Sequence, residues 1–381
     1  MSDIKDNPYG KYNGNELDYV LEVLDSENMD RKSNPYVNRF ENKFSQIFKS
    51  KYSIAHNSGT STLHSCLVAA GVECGDEVIS PAHTVIMNSF VTLHMGATPV
   101  YVDIDPDTFN MCPKDLERKI TSKTKAIQVV HMHGNPSDMV QIMKIAKKHN
   151  IPVIEDSAQC VLGYIYGKLV GTFGDMASWS FENKKHISTG EGGMVTTNNE
   201  EYGTIIRKFG GLGYKNLQAG QSLRQLLPKD FQNPYYKRHD TLGYNYRMNE
   251  LTAAVGLGQL ERVHFLVERR KQIAKMYDEA FKDCYFIKPQ KVLDGHTNAY
   301  WTYTDWFKVY DNVLKNGGDG FYGGLSIPYE EPVMSKYNYI KGECPNAEKV
   351  QPKMMQFKCN YRNLDEAKSK IDILKKSLSY R

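Results

Sequence analysis

Ser180-Phe181-Glu182-Asn183-Lys184-Lys185-His186-Ile187-Ser188-Thr189-Gly190-Glu191-Gly192-Gly193 sets two lysines between one β-rich run, 176–181, and another, 194–197, with a glycine turn closing the gap. An amine held where the backbone reverses can form a Schiff base with an aldehyde, and glycines let the main chain approach a bulky cofactor. Lys185 is one of 48 lysines and arginines, so taken alone it reads first as a solvated surface charge. What surrounds the turn decides between the two.

Outward from it the chain alternates. Short β-rich runs over 76–80, 98–104, 126–131 and 152–155 are separated by helical patterns over 61–70, 87–94 and 138–149. Such alternation predicts an α/β fold, a largely parallel sheet covered by helices with ligands near strand ends. Farther on, 210–239 is a long polar connection containing Gly, Gln and Pro. A long helical pattern over 251–281, with Leu257, Leu260, Val263 and Leu266 at apolar positions, bridges two domains. The remainder mixes aromatic-rich strands such as 299–309 with a terminal helix over 364–378.

At 381 residues the chain exceeds one compact core and has room for two domains. Apolar residues at 40%, charged residues at 24% and a formal net charge of +4 are ordinary for a globular protein and give nucleic-acid binding no support. The seven cysteines are scattered and never form C-x-x-C, which points to reduced thiols and a cytoplasmic setting. Residues 1–14 lack an apolar signal core, and no run approaches the roughly 18 apolar residues of a membrane span.

Two further segments carry chemistry. Asn57-Ser58-Gly59-Thr60-Ser61-Thr62-Leu63 joins a short strand to a helix start. Free amides and the helix dipole favour a phosphate there, with the Thr60 and Ser61 hydroxyls as added donors, and the same residues also suit a plain N-cap. Val153-Ile154-Glu155-Asp156-Ser157-Ala158-Gln159 ends an apolar strand on two acids. A cationic pyridine nitrogen would compensate such a buried carboxylate. A cap is the other reading, and a metal role is disfavoured because no histidine or further acid stands at ligand spacing. A phosphate cradle, a strand-end carboxylate and a turn-borne lysine, in this order, are the parts that pyridoxal phosphate requires.

These segments also carry a family likeness. Glu155 to Gln159, Ser180-Phe181, Lys185 to Gly193 and Gly243-Tyr244-Asn245-Tyr246-Arg247-Met248 resemble the sugar aminotransferases of the DegT/DnrJ/StrS family. The resemblance extends to Asn57-Ser58-Gly59-Thr60, Gly96-Ala97-Thr98-Pro99-Val100 and Cys344-Pro345-Asn346-Ala347-Glu348-Lys349. It implies an aspartate-aminotransferase-type fold, fold type I of the pyridoxal-phosphate enzymes. A large cofactor domain over 1–255 holds the mostly parallel sheet, and the bridging helix and a small C-terminal α+β domain occupy 256–381.

Residue by residue, the resemblance implies that Lys185 carries the cofactor as a Schiff base and that Asp156 faces its ring nitrogen. Gln159 lies near the phenolic oxygen. Gly59, Thr60 and Ser180 hold the phosphate together with Asn245 of the partner subunit, so the working unit is a homodimer. Glutamate is the implied amino donor and a nucleotide-linked 4-keto-6-deoxyhexose the implied acceptor. Three departures mark this chain. Val85 stands where relatives place an aromatic over the ring, with His83 as the other candidate for that role. Tyr329 stands where relatives often carry a histidine. The connection 213–242 is expanded and basic, with Lys215, Arg224, Lys229, Lys237, Arg238 and His239. Arg238, Arg247 and Tyr329 are therefore candidate substrate contacts. A sugar 3-dehydratase, in which histidine replaces the lysine, and a non-catalytic regulatory relative are the alternatives, and Lys185 favours transamination.

Overall fold

The computed structural model describes residues 11–25, 36–221, 228–285, 287–306, 321–322 and 325–378. Residues 1–10 of the polar N-terminal stretch, Arg224 and the last three residues of the 299–309 run lie outside that description. Two N-terminal helices, α1 (Glu16–Asp25) and α2 (Tyr36–Phe48), precede the alternating region. Strands β1 (Tyr52–His56), β2 (Glu77–Pro81), β3 (Thr98–Val102), β4 (Thr124–Val130) and β5 (Val153–Asp156) follow. Between them run α3 (Gly59–Ala69), α4 (Met87–His94), α5 (Pro113–Lys119) and α6 (Met139–His149). A short hairpin of β6 (Tyr164–Ile165) and β7 (Lys168–Leu169) leads to β8 (Met176–Ser180), β9 (Gly193–Thr197) and α7 (Glu200–Gly210).

Seven of these strands form the central sheet, in the order β1-β9-β8-β5-β4-β2-β3. Only β9 runs against its neighbours, because the lysine turn returns the chain directly alongside β8. Strands β5 and β8 are buried along their whole length, as a sheet covered on both faces requires. Ile54, Leu63, Leu67, Val195 and Ile206 pack in one core beneath α3 and α7. Phe40, Phe44, Trp179, Phe181 and Met194 form another core with α1 and α2, in which Phe44 stacks on Phe48 at 4.1 Å.

The predicted helix over 251–281 is two helices. After the short α8 (Pro228–Phe231), α9 spans Glu250–Glu261 and α10 spans Val263–Phe281. At Arg262 the N–H turns to Gln259 O at 3.1 Å, three residues back, and this tight closure ends α9. Leu257, Leu260, Val263 and Val267 join the core of the N-terminal helices, whereas Ile273, Tyr277 and Phe281 join the C-terminal core with Tyr303, Phe357 and Ile371. Helix α10 thus has its first turns in one core and its last in the other. The C-terminal sheet contains β10 (Lys288–Pro289), β12 (Thr302–Trp306), β13 (Phe321–Tyr322) and β14 (Met354–Lys358), while β11 (His296–Thr297) pairs with β6. Helices α11 (Pro345–Val350) and α12 (Leu364–Leu378) complete it. No helix among the described residues is long and apolar enough to cross a membrane.

Candidate active site

The C-terminal ends of β1, β5 and β8 share one edge of the sheet, and a cleft of about 690 Å³, including its open mouth, lies over them. Gly59, Thr60, Val85, Asp156, Gln159, Ser180 and Lys185 all line it. Residues up to 126 positions apart in sequence meet there because parallel strands bring their ends together.

At the β1–α3 turn, Ser58 is the N-cap of α3. Its Oγ accepts from Ser61 N at 3.1 Å, and Ser61 Oγ accepts from Ser58 N at 3.2 Å in a reciprocal capping box. The cap and the anion site coexist, since the first helical amides, Gly59 and Thr60, have no acceptor within the helix. One expectation changes here. The Ser61 hydroxyl donates back to Asn57 Oδ1 and Ser58 O, each at 2.8 Å, so only that of Thr60 is left to face an anion. Gly59 approaches Ser180 so closely that a Cβ would stand 2.7 Å from Ser180 Cβ. A Cβ on Gly193 would stand 2.5 Å from Ser58 O, which packs the turn against the start of β9.

Asp156 and Glu155 are adjacent and point to opposite faces of the sheet, as strand geometry demands. Asp156 Oδ1 accepts from Ala158 N at 3.1 Å and Oδ2 from Asn88 Nδ2 at 3.4 Å, with Asn88 held in turn by Thr84 Oγ1 at 2.9 Å. Burial raises the Asp156 pKa, opposed in part by the Ala158 amide, the Lys185 charge and Asn88. A cation at this edge of the cleft would relieve that burial, and a protonated pyridine nitrogen fits. Glu155 is structural. It accepts from Gly171, Phe173 and Gly174 amides at 2.7–2.8 Å and lies 3.2 Å from His131 Nε2. Burial alone would raise its pKa, but His131 and the amides more than offset this and leave it lowered.

Lys185 is buried. Burial lowers its pKa, Asp156 and Glu182 oppose that shift, and Arg270 and Lys184 add to it. Its Nζ rests 4.4 Å from the centre of the Trp301 ring. The turn itself is pinned from the C-terminal side. Buried Arg270 of α10 donates to Trp301 O at 2.7 Å, Lys185 O at 3.0 Å and Lys184 O at 3.1 Å, while Trp301 Nε1 donates to Lys184 O at 3.0 Å. Lys184 is exposed. His186 is buried with Nε2 against Ala299 O at 2.9 Å, and burial drives its pKa well down, so the ring is neutral.

Gln159 Oε1 accepts from His133 N at 2.7 Å, which fixes the amide at the cleft wall. Val85 lines the cleft, whereas His83 is fully buried and does not. Asn245 is exposed, on a segment bridged to Gly211, and does not line its own subunit's cleft. Arg247 lines a separate cavity with His56. Arg238 is exposed, with its carbonyl accepting from Lys215 N at 2.9 Å. Tyr329 is packed 5.2 Å from the Tyr101 ring and donates to Glu348 at 2.7 Å. The structure therefore gathers Gly59, Thr60, Val85, Asp156, Gln159, Ser180 and Lys185 in one cleft and leaves Asn245, Arg238, Arg247 and Tyr329 outside it. Asn88, Trp301 and Arg270 are additions. No group of three or more His, Cys, Asp or Glu placed to hold a metal ion occurs among the described residues.

The profile of the DegT/DnrJ/EryC1/StrS aminotransferase family matches residues 11–370. The chain is 40% identical over 288 residues to the GDP-perosamine synthase of Escherichia coli O157:H7, covering 76% of this chain and 74% of that one. It is 38% identical over 296 residues to the GDP-perosamine synthase of Caulobacter vibrioides, covering 77% and 75%. Among solved structures, an aminotransferase from Psychrobacter cryohalolentis superposes with a TM-score of 0.85 at 29% identity, covering 94% of this chain and 95% of that one.

Proposed function

The chain belongs to the DegT/DnrJ/EryC1/StrS aminotransferase family and is a pyridoxal-phosphate-dependent sugar aminotransferase. From that premise we propose that it moves an amino group from glutamate to a GDP-linked 4-keto-6-deoxyhexose, making an amino sugar for polysaccharide or glycan. The observation that supports this most is the meeting of Lys185, Asp156 and the Gly59–Thr60 amides in one cleft. GDP follows from the likeness to GDP-perosamine synthases.

Bound pyridoxal phosphate supplies an aldehyde for amine exchange and a ring that takes up negative charge. The protein's residues do the rest. The Gly59 and Thr60 amides, the Ser180 hydroxyl and Asn245 of the partner subunit would hold the phosphate at the N-terminal end of α3. Asp156, braced by Asn88 and the Ala158 amide, would keep the ring nitrogen protonated. Gln159 would face the phenolic oxygen, and Val85 would cover the ring with apolar contact. The Lys185 amine, its pKa lowered by burial, is neutral more often than a surface lysine and takes the proton from the donor's α-carbon. It returns a proton to the sugar carbon in the second half of the reaction. Arg238 and Arg247 remain candidate sugar contacts, as residues reaching a neighbouring subunit's site, whereas Tyr329 is turned into the core against Tyr101 and Glu348. The working unit is a homodimer, and the seven free cysteines suit a reducing, cytoplasmic setting.

A 3-dehydratase is disfavoured because Lys185 occupies the cleft and His186 is held against Ala299 O. Incubating the protein with pyridoxal phosphate, glutamate and GDP-4-keto-6-deoxymannose tests the proposal. Equimolar 2-oxoglutarate and GDP-linked amino sugar are expected. Loss of water from the sugar without 2-oxoglutarate would place the chain with the dehydratases.

A further inference from the structure

Just past the end of β4 the chain reverses through a backbone conformation that side chains rarely adopt. His133 stands at φ +60°, ψ +10°, in the left-handed region, and Gly134 follows at φ +99°. Packing imposes this turn. A Cβ on Gly134 would stand 2.6 Å from the amide nitrogens of Tyr300 and Trp301, and Gly134 O accepts from Ala299 N at 2.8 Å. Such conformations persist only where the surroundings over-determine them, and they gather at functional sites. Here the product of the turn is direct, because it aims the His133 N–H at Gln159 Oε1, 2.7 Å away.

That bond decides which end of the Gln159 amide meets the cleft. With Oε1 engaged, Nε2 is the end left to the space that Gln159 lines, so the residue offers a donor there and not an acceptor. The His133 side chain acts on a different neighbour of Lys185. It is fully buried, with its ring parallel to that of Trp301 within 2° at a centroid distance of 6.5 Å, and Nδ1 lies 3.3 Å from Thr302 Oγ1. Trp301 in turn has Lys185 Nζ 4.4 Å from its ring centre. Burial holds the imidazole neutral, so it supports Trp301 without setting a second cation against Lys185. We infer that His133 is a positioning residue with two separable parts: its left-handed backbone turns Gln159 Nε2 toward the cofactor's phenolic oxygen, and its ring holds Trp301 against Lys185. The inference rests on the pyridoxal-phosphate reading above and adds the residue that ties the cofactor's oxygen partner to the lysine's aromatic neighbour.

Two substitutions separate the parts. Asparagine tolerates left-handed backbone and keeps the N–H, so His133→Asn removes the ring alone, whereas β-branched valine resists that backbone, so His133→Val withdraws the N–H as well. A donor on the phenolic oxygen stabilises its anion and lets the nitrogen joining Lys185 to the cofactor lose its proton at lower pH. In the holoenzyme the pH midpoint of the visible absorption band therefore rises by about half a unit or more in His133→Val, and stays within about 0.2 units of wild type in His133→Asn. In apoprotein the pH midpoint for acylation of Lys185 by acetic anhydride falls in both variants, since a displaced Trp301 no longer favours the ammonium form. His133→Leu, which also disfavours left-handed backbone, replaces the Val variant if that one does not fold. A band midpoint that is unmoved in a folded Val or Leu variant, or that moves as far in His133→Asn, overturns the inference. So does a Lys185 midpoint that His133→Asn leaves in place. Failure of the broader reading is seen separately, as wild type that shows no visible band with added pyridoxal phosphate.

Discussion

Arg270 and Lys185 carry charges that repel each other, yet Arg270 holds the very turn on which Lys185 stands. Replacing Arg270 by Gln removes donors from one buried and two partly buried carbonyls and costs about 2–4 kcal/mol of stability, read from denaturant unfolding. It also removes a charge that lowers the Lys185 pKa, so the sign of the pH effect is fixed. In apoprotein the midpoint for acylation of Lys185 by acetic anhydride, followed by peptide mass spectrometry, moves to higher pH. A midpoint that stays or falls contradicts the electrostatic coupling. Lys185 and Asp156 were legible in the sequence because one sits on a glycine turn and the other at a strand end. Arg270 was not, since its partners are backbone carbonyls, which every residue has. Asn88 left no signal either, as a polar residue in the first turn of a helix reads as an ordinary surface group. Tyr329 shows the converse, because a position in the chain gives no side-chain direction, and this one turns toward Tyr101 and Glu348.

The β1–α3 turn joins a cap, the proposed phosphate cradle and close packing within a few residues. A methyl group on Gly59 meets Ser180 at 2.7 Å, and relieving that overlap displaces either the amides or the serine. Gly59→Ala is therefore expected to lose ~1–3 kcal/mol, seen as roughly tenfold weaker binding of pyridoxal phosphate to apoprotein in a fluorescence titration. Undiminished affinity would show that the turn does not hold the cofactor. The central strands were readable because strands covered on both faces are nearly continuous apolar runs. Helix α2 carries its own sign in the spacing of Val37, Phe40, Phe44 and Phe48, all of which are buried. The break at Arg262 has no Gly or Pro to mark it, and only the hydrogen bond to Gln259 reveals it.

At the scale of the whole molecule, Asn245 lies outside its own chain's cleft, and the proposed dimer would supply it from across the interface. Mixing Lys185→Ala with Asn245→Ala subunits under exchange tests this. Half the dimers are then hybrids, each with one doubly impaired site and one intact site, so about a quarter of wild-type activity returns at limiting cofactor. Activity equal to the mean of the parents would place both residues in a single subunit's site. The family likeness spans the chain and made the fold legible, but contacts across subunits and the expanded connection 213–242 depend on neighbours that one sequence does not specify. The central claim concerns a single bond, between Lys185 and pyridoxal phosphate. Borohydride reduction of the holoenzyme followed by peptide mapping tests it most directly. The account predicts loss of the visible absorption band, one phosphopyridoxyl group on Lys185 and none in Lys185→Ala. A label on Lys184, or a reducible band that survives in Lys185→Ala, would contradict it.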